Sequence, residues 1–181
     1  MLYIFSGLPA TGKSTLAVVL AKSRNAVYLR LDTIEQAIKE STGLEVGPEG
    51  YAAAYALAAD NLAIGLEVVA DSVNALEITR SGWRSAVLNS DCAFVELEIV
   101  CSDAEEHKRR VENRKATISG LKIPTWQQVV NRDYVEWRSD RILIDTAGET
   151  PQQSIRKMFL ALGLSQPQRD RLNQPRRISE G

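Results

Sequence analysis

One stretch near the start of the chain constrains the fold more than any other. It follows a short apolar run, residues 2–5, and precedes a segment of helical character, residues 16–22. Glycines at its two ends let the backbone turn where a Cβ would interfere, so that successive N–H groups point inward at an anion. A strand, a Gly-x-x-x-x-Gly-Lys-Ser turn and a helix in this order are typical of a phosphate-binding P-loop. The residues expected to form it are Gly7, Leu8, Pro9, Ala10, Thr11, Gly12, Lys13, Ser14 and Thr15.

Two side chains of this loop carry specific chemistry. Lys13 brings a positive charge that can reach the β- and γ-phosphates of a nucleotide, and the Ser14 hydroxyl is placed to ligate Mg²⁺. The helix that begins near Lys13 directs its N-terminus at the same anion. The alternative is a glycine-rich turn that matches by chance, and the strand-to-helix setting argues against it. The sequence therefore predicts ATP and Mg²⁺ as cofactors.

Overall composition narrows the class of protein. The 181 residues, 44% hydrophobic and 25% charged, fit one domain with a single core. A formal net charge of −1 gives no broad attraction for nucleic acid or for an anionic membrane. Cys92 and Cys101 are too few for a disulfide framework, so we expect reduced thiols in a cytoplasmic protein. No membrane span is expected, because no apolar run approaches the roughly twenty residues that a span needs. No signal peptide is expected either, since Met1 leads straight into the first strand.

Apolar runs and helical patterns alternate along the rest of the chain. After residues 2–5, strands are predicted at residues 26–31, 67–70, 93–101 and 141–145. Between and after them, helices are predicted at residues 33–39, 51–65, 75–89, 126–137 and 151–162. A further, charged helix is expected to run to about residue 115 after an N-cap at residues 102–103. This alternation predicts an α/β fold of three layers, with helices on both faces of a five-stranded parallel sheet. Because ligands of such sheets bind beyond the carboxyl ends of the strands, the loops after the five strands should converge on one rim.

Two aspartates follow strands on that rim. Asp32, after the second strand, is our candidate for a general base that takes the proton of an attacking hydroxyl; the alternative is an N-cap of the next helix. Asp71 ends the third strand in the way a Walker B acid does and would hold Mg²⁺ through water; the alternative is a cap or turn residue before Asn74. Asp145 is a competitor for the metal, but the turn after it fits better against a nucleotide base.

The segment after the fourth strand concentrates positive charge. Arg110 and Arg114 lie one turn apart, and a glycine-bearing stretch follows them, which is the pattern of a mobile lid. The alternative is a solvated helix, since Glu106 and Arg110 form a favourable i, i+4 pair. His107 is expected at the surface. Aromatic and basic residues after Asp32 and Asp71 are either core or a substrate wall: Tyr51, Tyr55, Arg80, Trp83 and Arg84. Core positions are expected for Trp126 and Trp137.

Taken together, the P-loop, Asp32, the stretch at residues 71–74 and the arginine-bearing helix resemble small bacterial P-loop kinases. This group includes kinase-like proteins described as AAA family ATPases, near chloramphenicol phosphotransferase, zeta-toxin kinases, gluconate kinase and the kinase domain of polynucleotide kinases. The resemblance covers about residues 1–162. It implies the P-loop NTP hydrolase fold with strand order 2-3-1-4-5, with Asp71 beside the P-loop and Asp32 towards the acceptor.

The same resemblance implies further site residues. An arginine from the lid, Arg110 or Arg114, would contact the transferring phosphate. A turn at residues 146–149, with Thr146 and Gly148, would lie against adenine.

Departures from the relatives limit the function. AAA+ motors need an additional helical domain, and nothing after Asp145 is long enough to form one. Polynucleotide kinases commonly place an arginine three residues after the catalytic aspartate, where this chain has Glu35, so a nucleic-acid acceptor is not favoured. We expect an ATP- and Mg²⁺-dependent kinase acting on a hydroxyl of a small molecule. The alternatives are a polynucleotide 5′-hydroxyl kinase and a non-catalytic ATP-binding switch.

The expected domain plan is simple. Residues 1–163 form the kinase domain, with the lid at about residues 103–138. Residues 164–181 are rich in Gln, Pro and Arg, and we expect a disordered tail there. No membrane partner is expected, and the sequence does not indicate an oligomeric state.

Overall fold

A computed structural model describes residues 1–88 and 92–166 of the chain. These residues form a single sheet whose strands are β1 (Leu2–Ser6), β2 (Val27–Arg30), β3 (Val68–Asp71), β4 (Phe94–Val100) and β5 (Ile142–Asp145). The helices are α1 (Lys13–Arg24), α2 (Leu31–Thr42), α3 (Glu49–Ala63), α4 (Glu77–Ser85), α5 (Ala104–Glu112), α6 (Trp126–Val130) and α7 (Pro151–Ala161). All strand pairs are parallel and the order is β2-β3-β1-β4-β5, which confirms the predicted fold.

The sheet is covered on both faces because its central strands are apolar throughout. All residues of β1 and β3 are buried. Successive residues of a strand point to opposite faces, so Ile4 packs with α3 and α4 whereas Phe5 packs with α1 and α7. The result is the expected three-layer architecture, in which every strand delivers its carboxyl end to the same edge.

Several predicted boundaries were wrong, each for a local reason. Strand β2 ends at Arg30 and α2 begins at once, so Asp32 lies in the first turn of α2; Arg30 is its N-cap, which rules out Asp32 as the cap. Helix α4 begins at Glu77 because Asn74 adopts a left-handed conformation (φ 53°) and Leu76 is extended. Residue 89, the predicted end of this helix, lies outside the described residues, as does most of the predicted tail.

The segment after α6 is not helical, although a helix to residue 137 was predicted. The buried guanidinium of Arg80 accounts for this, because it donates hydrogen bonds to the carbonyls of Val135 (2.7 Å) and Glu136 (3.4 Å). It also donates to the carbonyls of Asn74 and Ala75, at 3.1 Å each. Arg80 thereby ties the segment after α6 to the loop after β3.

Most of the residues considered for a substrate wall belong to the scaffold. Arg80 and Trp83 are fully buried, and Tyr55 packs edge-on against Trp83 with ring centroids 5.0 Å apart. The guanidinium of Arg84 pairs with the buried carboxylate of Glu96. Only Tyr51 of this group lines the cleft described below. Trp137 is buried, as expected.

Two further expectations concern the thiols and the membrane. Both cysteines are free, Cys101 buried and Cys92 half-buried. Among the helices of residues 1–88 and 92–166, none has the length and apolar character that crossing a bilayer demands.

Candidate active site

The loops at the carboxyl edge of the sheet surround one cleft of about 1040 Å³. Its walls come from the P-loop, the start of α2, the end of α5, the stretch before α6 and the turn after β5. The predicted site residues that line it are Leu8, Pro9, Ala10, Gly12, Lys13, Ser14, Thr15, Asp32, Arg110, Arg114 and Thr146. The other four predicted site residues lie behind or beside the lining of the cleft: Gly7, Thr11, Asp71 and Gly148.

The P-loop has the backbone that its glycines were expected to provide. Gly7 has φ 144°, and a Cβ there would lie 2.2 Å from the carbonyl oxygen of Ile99, so a side chain does not fit. Gly12 has φ 92° and is the N-cap of α1 without any side-chain cap. Ala10 adopts a left-handed conformation with φ 67°, which is strained for a residue with a Cβ. The first N–H groups of α1 therefore face the cleft without a capping side chain, an arrangement that favours an anion.

Lys13 and Asp71 form a buried ion pair beneath this loop. The Lys13 ammonium donates to Oδ1 of Asp71 at 2.7 Å, and the Tyr28 hydroxyl donates to Oδ2 at 2.6 Å. Burial alone would raise the pKa of Asp71, but the Lys13 charge and hydrogen bonds from Lys13, Tyr28 and Ser14 hold that pKa below its usual range. Burial also raises the pKa of Tyr28 far above its usual value. Asp71 is thus an ionised carboxylate that accepts hydrogen bonds from the neutral phenol of Tyr28 and from the Lys13 ammonium.

The oxygen atoms at this position suit the predicted metal. Asp71 is the last residue of β3 and lies in register with Phe5 of β1, the strand that leads into the P-loop. Its carboxylate interacts with the Ser14 hydroxyl. A hydroxyl and a carboxylate are oxygen ligands of the kind that Mg²⁺ prefers, with phosphates and waters completing its coordination. The residues present therefore fit Mg²⁺.

A second wall carries two carboxylates one helical turn apart. Asp32 and Glu35 both line the cleft from α2, and Tyr51 lies on the same wall. Among residues 1–88 and 92–166, Asp32 makes only a loose ion pair, with 3.7 Å between its Oδ2 and Nη2 of Arg30. Burial and the nearby charge of Asp32 raise the pKa of Glu35 to about 7, and Arg132 opposes the rise. Glu35 was not among the predicted site residues, and its i, i+3 spacing from Asp32 was the available signal.

The two arginines of the predicted lid occupy different environments. Arg110 donates to Oγ1 and to the carbonyl oxygen of Thr146, at 2.8 Å each, and pairs with Glu106 at 2.7 Å. Glu106 also accepts the N–H of Gly148 at 2.8 Å, so α5 is joined to the turn after β5. Arg114 lies beyond the end of α5 and lines the cleft, and its guanidinium makes no hydrogen bond with any residue that the structure describes.

His107 is buried, so the expectation of a surface position was wrong. Its Nε2–H donates to the carbonyl oxygen of Pro9 in the P-loop at 2.8 Å, and its ring meets that of Trp126 edge-on at 5.3 Å. Val111, four residues later, is buried on the same face of α5. That apolar neighbour at i+4 in a charged helix was the signal for an inward face.

Comparison with known protein families identifies the chain. Residues 2–132 match a family described as an AAA domain. The chain belongs to this AAA domain family. The matched part of the AAA domain contains the P-loop, Asp32, Asp71 and both arginines of the predicted lid. Comparison with proteins of curated function gives no significant match.

Solved structures resemble this AAA domain over most of its length. A sugar kinase from Janibacter sp. HTCC2649 shares 16% identity with a TM-score of 0.64, over 91% of this chain and 95% of that one. A gluconokinase from Sinorhizobium meliloti 1021 shares 17% identity with a TM-score of 0.61, covering 89% and 90%. The APS kinase of Mycobacterium tuberculosis in complex with AMPPNP and APS shares 16% identity with a TM-score of 0.67, covering 90% and 96%. The resemblance to small P-loop kinases is confirmed at the level of the fold.

Proposed function

We propose that this AAA domain is an ATP- and Mg²⁺-dependent kinase that phosphorylates a hydroxyl group of a small molecule. The observation that carries this proposal is that one cleft joins a P-loop on one wall to the loosely paired carboxylate of Asp32 on another. A kinase needs both, because phosphoryl transfer requires phosphates held in place and a group that accepts the proton of the attacking hydroxyl.

The nucleotide would occupy the part of the cleft between the P-loop and the turn after β5. The N–H groups at the start of α1 and the Lys13 ammonium hold the phosphates, and Thr146 and Gly148 lie beside the base. Arg110 fixes this turn through its two hydrogen bonds to Thr146. Ser14 and Asp71 would hold Mg²⁺, which when bound neutralises charge on the β- and γ-phosphates.

The acceptor would enter against α2. Its hydroxyl passes a proton to the Asp32 carboxylate while the oxygen bonds to the γ-phosphorus, and the bond from that phosphorus to the β–γ bridging oxygen breaks to release ADP. Lys13 and the Arg114 guanidinium stabilise the charge on the transferred group. The polar groups around the acceptor have both signs of charge, which fits a small polar compound; they are Asp32, Glu35, Tyr51, Gln128 and Arg132.

The test follows the terminal phosphate of γ-labelled ATP into a panel of small hydroxyl compounds and a 5′-hydroxyl oligonucleotide. We expect label to enter a small compound. The Asp32→Asn variant should bind MgADP within about twofold of the unchanged protein but transfer phosphate at least about 10²-fold more slowly. Asp60→Asn is the matched control, since Asp60 is an exposed carboxylate on α3 away from the cleft.

Each other outcome replaces part of the proposal. Label in the oligonucleotide would make the protein a polynucleotide kinase. Tight ATP binding with slow hydrolysis and no transfer to any acceptor would make it a switch. Undiminished transfer by Asp32→Asn would remove Asp32 as the base.

A further inference from the structure

Tyr28 has no role in the function described so far, yet its hydroxyl contacts the predicted metal ligand. Its phenol donates to Oδ2 of Asp71 at 2.6 Å, while Oδ1 of the same carboxylate accepts the Lys13 ammonium at 2.7 Å. Each oxygen of Asp71 therefore has its own donor. Asp71 is 2% exposed, so these donors replace water at the carboxylate.

The two contacts differ in how firmly the fold fixes them. Arg30 of β2 is in register with Asp71 of β3, and Tyr28 precedes Arg30 by two residues. Tyr28 and Asp71 are thus diagonal neighbours on the same face of the sheet, held by the ladder between two strands. Lys13 has instead a long flexible side chain, and to bind phosphates it must exchange the carboxylate for the nucleotide.

We propose that Tyr28 is a positioning residue of the nucleotide and metal site. Its hydroxyl holds Oδ2 of Asp71, so that the carboxylate would keep its orientation, with Oδ1 free to hold Mg²⁺, when Lys13 exchanges Asp71 for the phosphates. This inference rests on the proposed function, since it assumes that Asp71 holds Mg²⁺ beside a bound nucleotide. Without the hydroxyl, the Asp71 carboxylate gains freedom about its broad terminal torsion and presents its oxygen less well.

The consequence is specific to the metal. Loss of the Tyr28 hydroxyl should reduce the gain in nucleotide affinity that Mg²⁺ provides, and should leave affinity without Mg²⁺ nearly unchanged. A merely structural role for Tyr28 predicts a different result, in which both affinities fall together as the sheet loosens.

The experiment compares ADP binding to the full chain in EDTA and in excess Mg²⁺ by isothermal titration calorimetry. The measured quantity is the ratio of the two dissociation constants. Changing a group that orients a metal ligand typically weakens metal binding about tenfold or more, so Tyr28→Phe should reduce the ratio by about that factor. Tyr3→Phe is the matched control, because Tyr3 is a buried tyrosine of the same sheet whose hydroxyl interacts with Glu67 and Arg24, away from the cleft.

The outcomes separate this inference from the function on which it rests. If the unchanged protein shows a magnesium-dependent gain and Tyr28→Phe keeps it in full, the inference is wrong and the proposed function stands. Equal losses in Tyr28→Phe and Tyr3→Phe would also overturn it. If the unchanged protein takes up no ADP with or without Mg²⁺, the proposed function itself fails. Thermal unfolding checks each variant, and Tyr28→Leu, which also lacks a donor, replaces Tyr28→Phe if the latter does not fold.

Discussion

At the scale of single residues, Glu35 shows how burial creates a titrating group in the cleft. Its carboxyl group makes no hydrogen bond with any residue in the described part of the chain, and it lies one turn from Asp32. Burial and that neighbouring charge disfavour its ionised form and raise its pKa to about 7, with Arg132 opposing the rise. Glu35 therefore exchanges its proton near neutral pH, next to the proposed base.

This titration links stability to pH. Because the pKa of Glu35 is about 7 in the folded protein against an ordinary value of 4.5, folding favours the protonated form. The resulting stabilisation is fully present below pH 4.5 and is lost as the pH rises through 7. Glu35→Gln mimics the protonated form at every pH. Above pH 8 its free energy of unfolding should therefore exceed that of the unchanged protein by about 1 kcal/mol, a value that allows for screening of the Glu35 charge by solvent.

Urea unfolding at pH 4, 6 and 8 measures this difference. It should vanish at the lowest pH and grow towards the highest. Glu112→Gln, which changes an exposed carboxylate at the end of α5, supplies the control. A Glu35→Gln difference that stays constant across this range would mean that burial does not set the titration of Glu35.

Residues differ in how far the sequence could predict them. Lys13 and Ser14 were predictable because the P-loop is contiguous, so spacing alone places them on one anion. The contacts of Tyr28 and His107 were not, although Val111 signalled the buried face of α5, because their partners come from packing: Asp71 is 43 residues from Tyr28, and Pro9 is 98 residues from His107. No local pattern encodes such a contact.

At the scale of elements, the position at which α5 ends gives Arg110 and Arg114 different environments, although the sequence pattern predicted one helix face for both. A helix running to residue 115 would place Arg110 and Arg114 on one face. The helix ends instead at Glu112. Both arginines line the cleft, but Arg110 is held by hydrogen bonds to Thr146, whereas Arg114 makes no side-chain hydrogen bond with any described residue. Helix ends are set by capping and by tertiary contacts, which is why the 3.6-residue period alone misplaced this one.

Because Arg110 and Arg114 lie in different environments, we expect their substitutions to impair different steps. Arg114→Ala should slow phosphoryl transfer about 10²-fold with little change in MgADP affinity, because ADP lacks the γ-phosphate that Arg114 would contact. Arg110→Ala should instead weaken MgADP binding, because the turn at Thr146 loses two hydrogen bonds. Calorimetry with ADP and turnover with ATP measure the two effects.

Arg109→Ala is the control for both, since Arg109 is an exposed arginine of the same helix. The reverse pattern, with Arg110→Ala defective in turnover at normal ADP affinity, would assign the γ-phosphate to Arg110. Until then the assignment of either arginine, like the lid at residues 103–138, stays a prediction.

At the scale of the whole molecule, the topology of the sheet was predictable, whereas the conformation of the segment after α6 was not. The parallel sheet and the shared rim followed from the alternation of strands and helices, and the strand order followed from the resemblance to P-loop kinases. The segment after α6 was misjudged because its conformation depends on Arg80, some fifty residues earlier in the chain. A long-range contact of this kind overrides the local helical pattern.

Arg80 joins the loop after β3 to the segment after α6, so its loss should lower the free energy of unfolding more than the loss of an exposed ion pair does. Its guanidinium bonds four backbone carbonyls and lies over the Trp137 ring at 4.0 Å. Arg80→Met removes all four of these hydrogen bonds, and only the Ala75 carbonyl keeps another donor among the described residues, the N–H of Val135 at 2.9 Å. The free energy of unfolding should therefore fall by about 3 kcal/mol or more in urea titrations. Arg24→Met, which breaks an exposed pair with Glu67, should cost only about 0–1 kcal/mol.

Proteolysis distinguishes a local from a global effect of the Arg80 change. If Arg80 chiefly anchors the segment after α6, Arg80→Met should be cleaved at residues 133–138 under conditions that leave Arg24→Met intact. Because the same guanidinium holds the carbonyls of Asn74 and Ala75, the loop that follows Asp71 should loosen with it, and MgADP affinity should fall in parallel. Full stability of Arg80→Met would show that packing around Trp83 and Trp137 suffices to hold the two parts together without the buried charge.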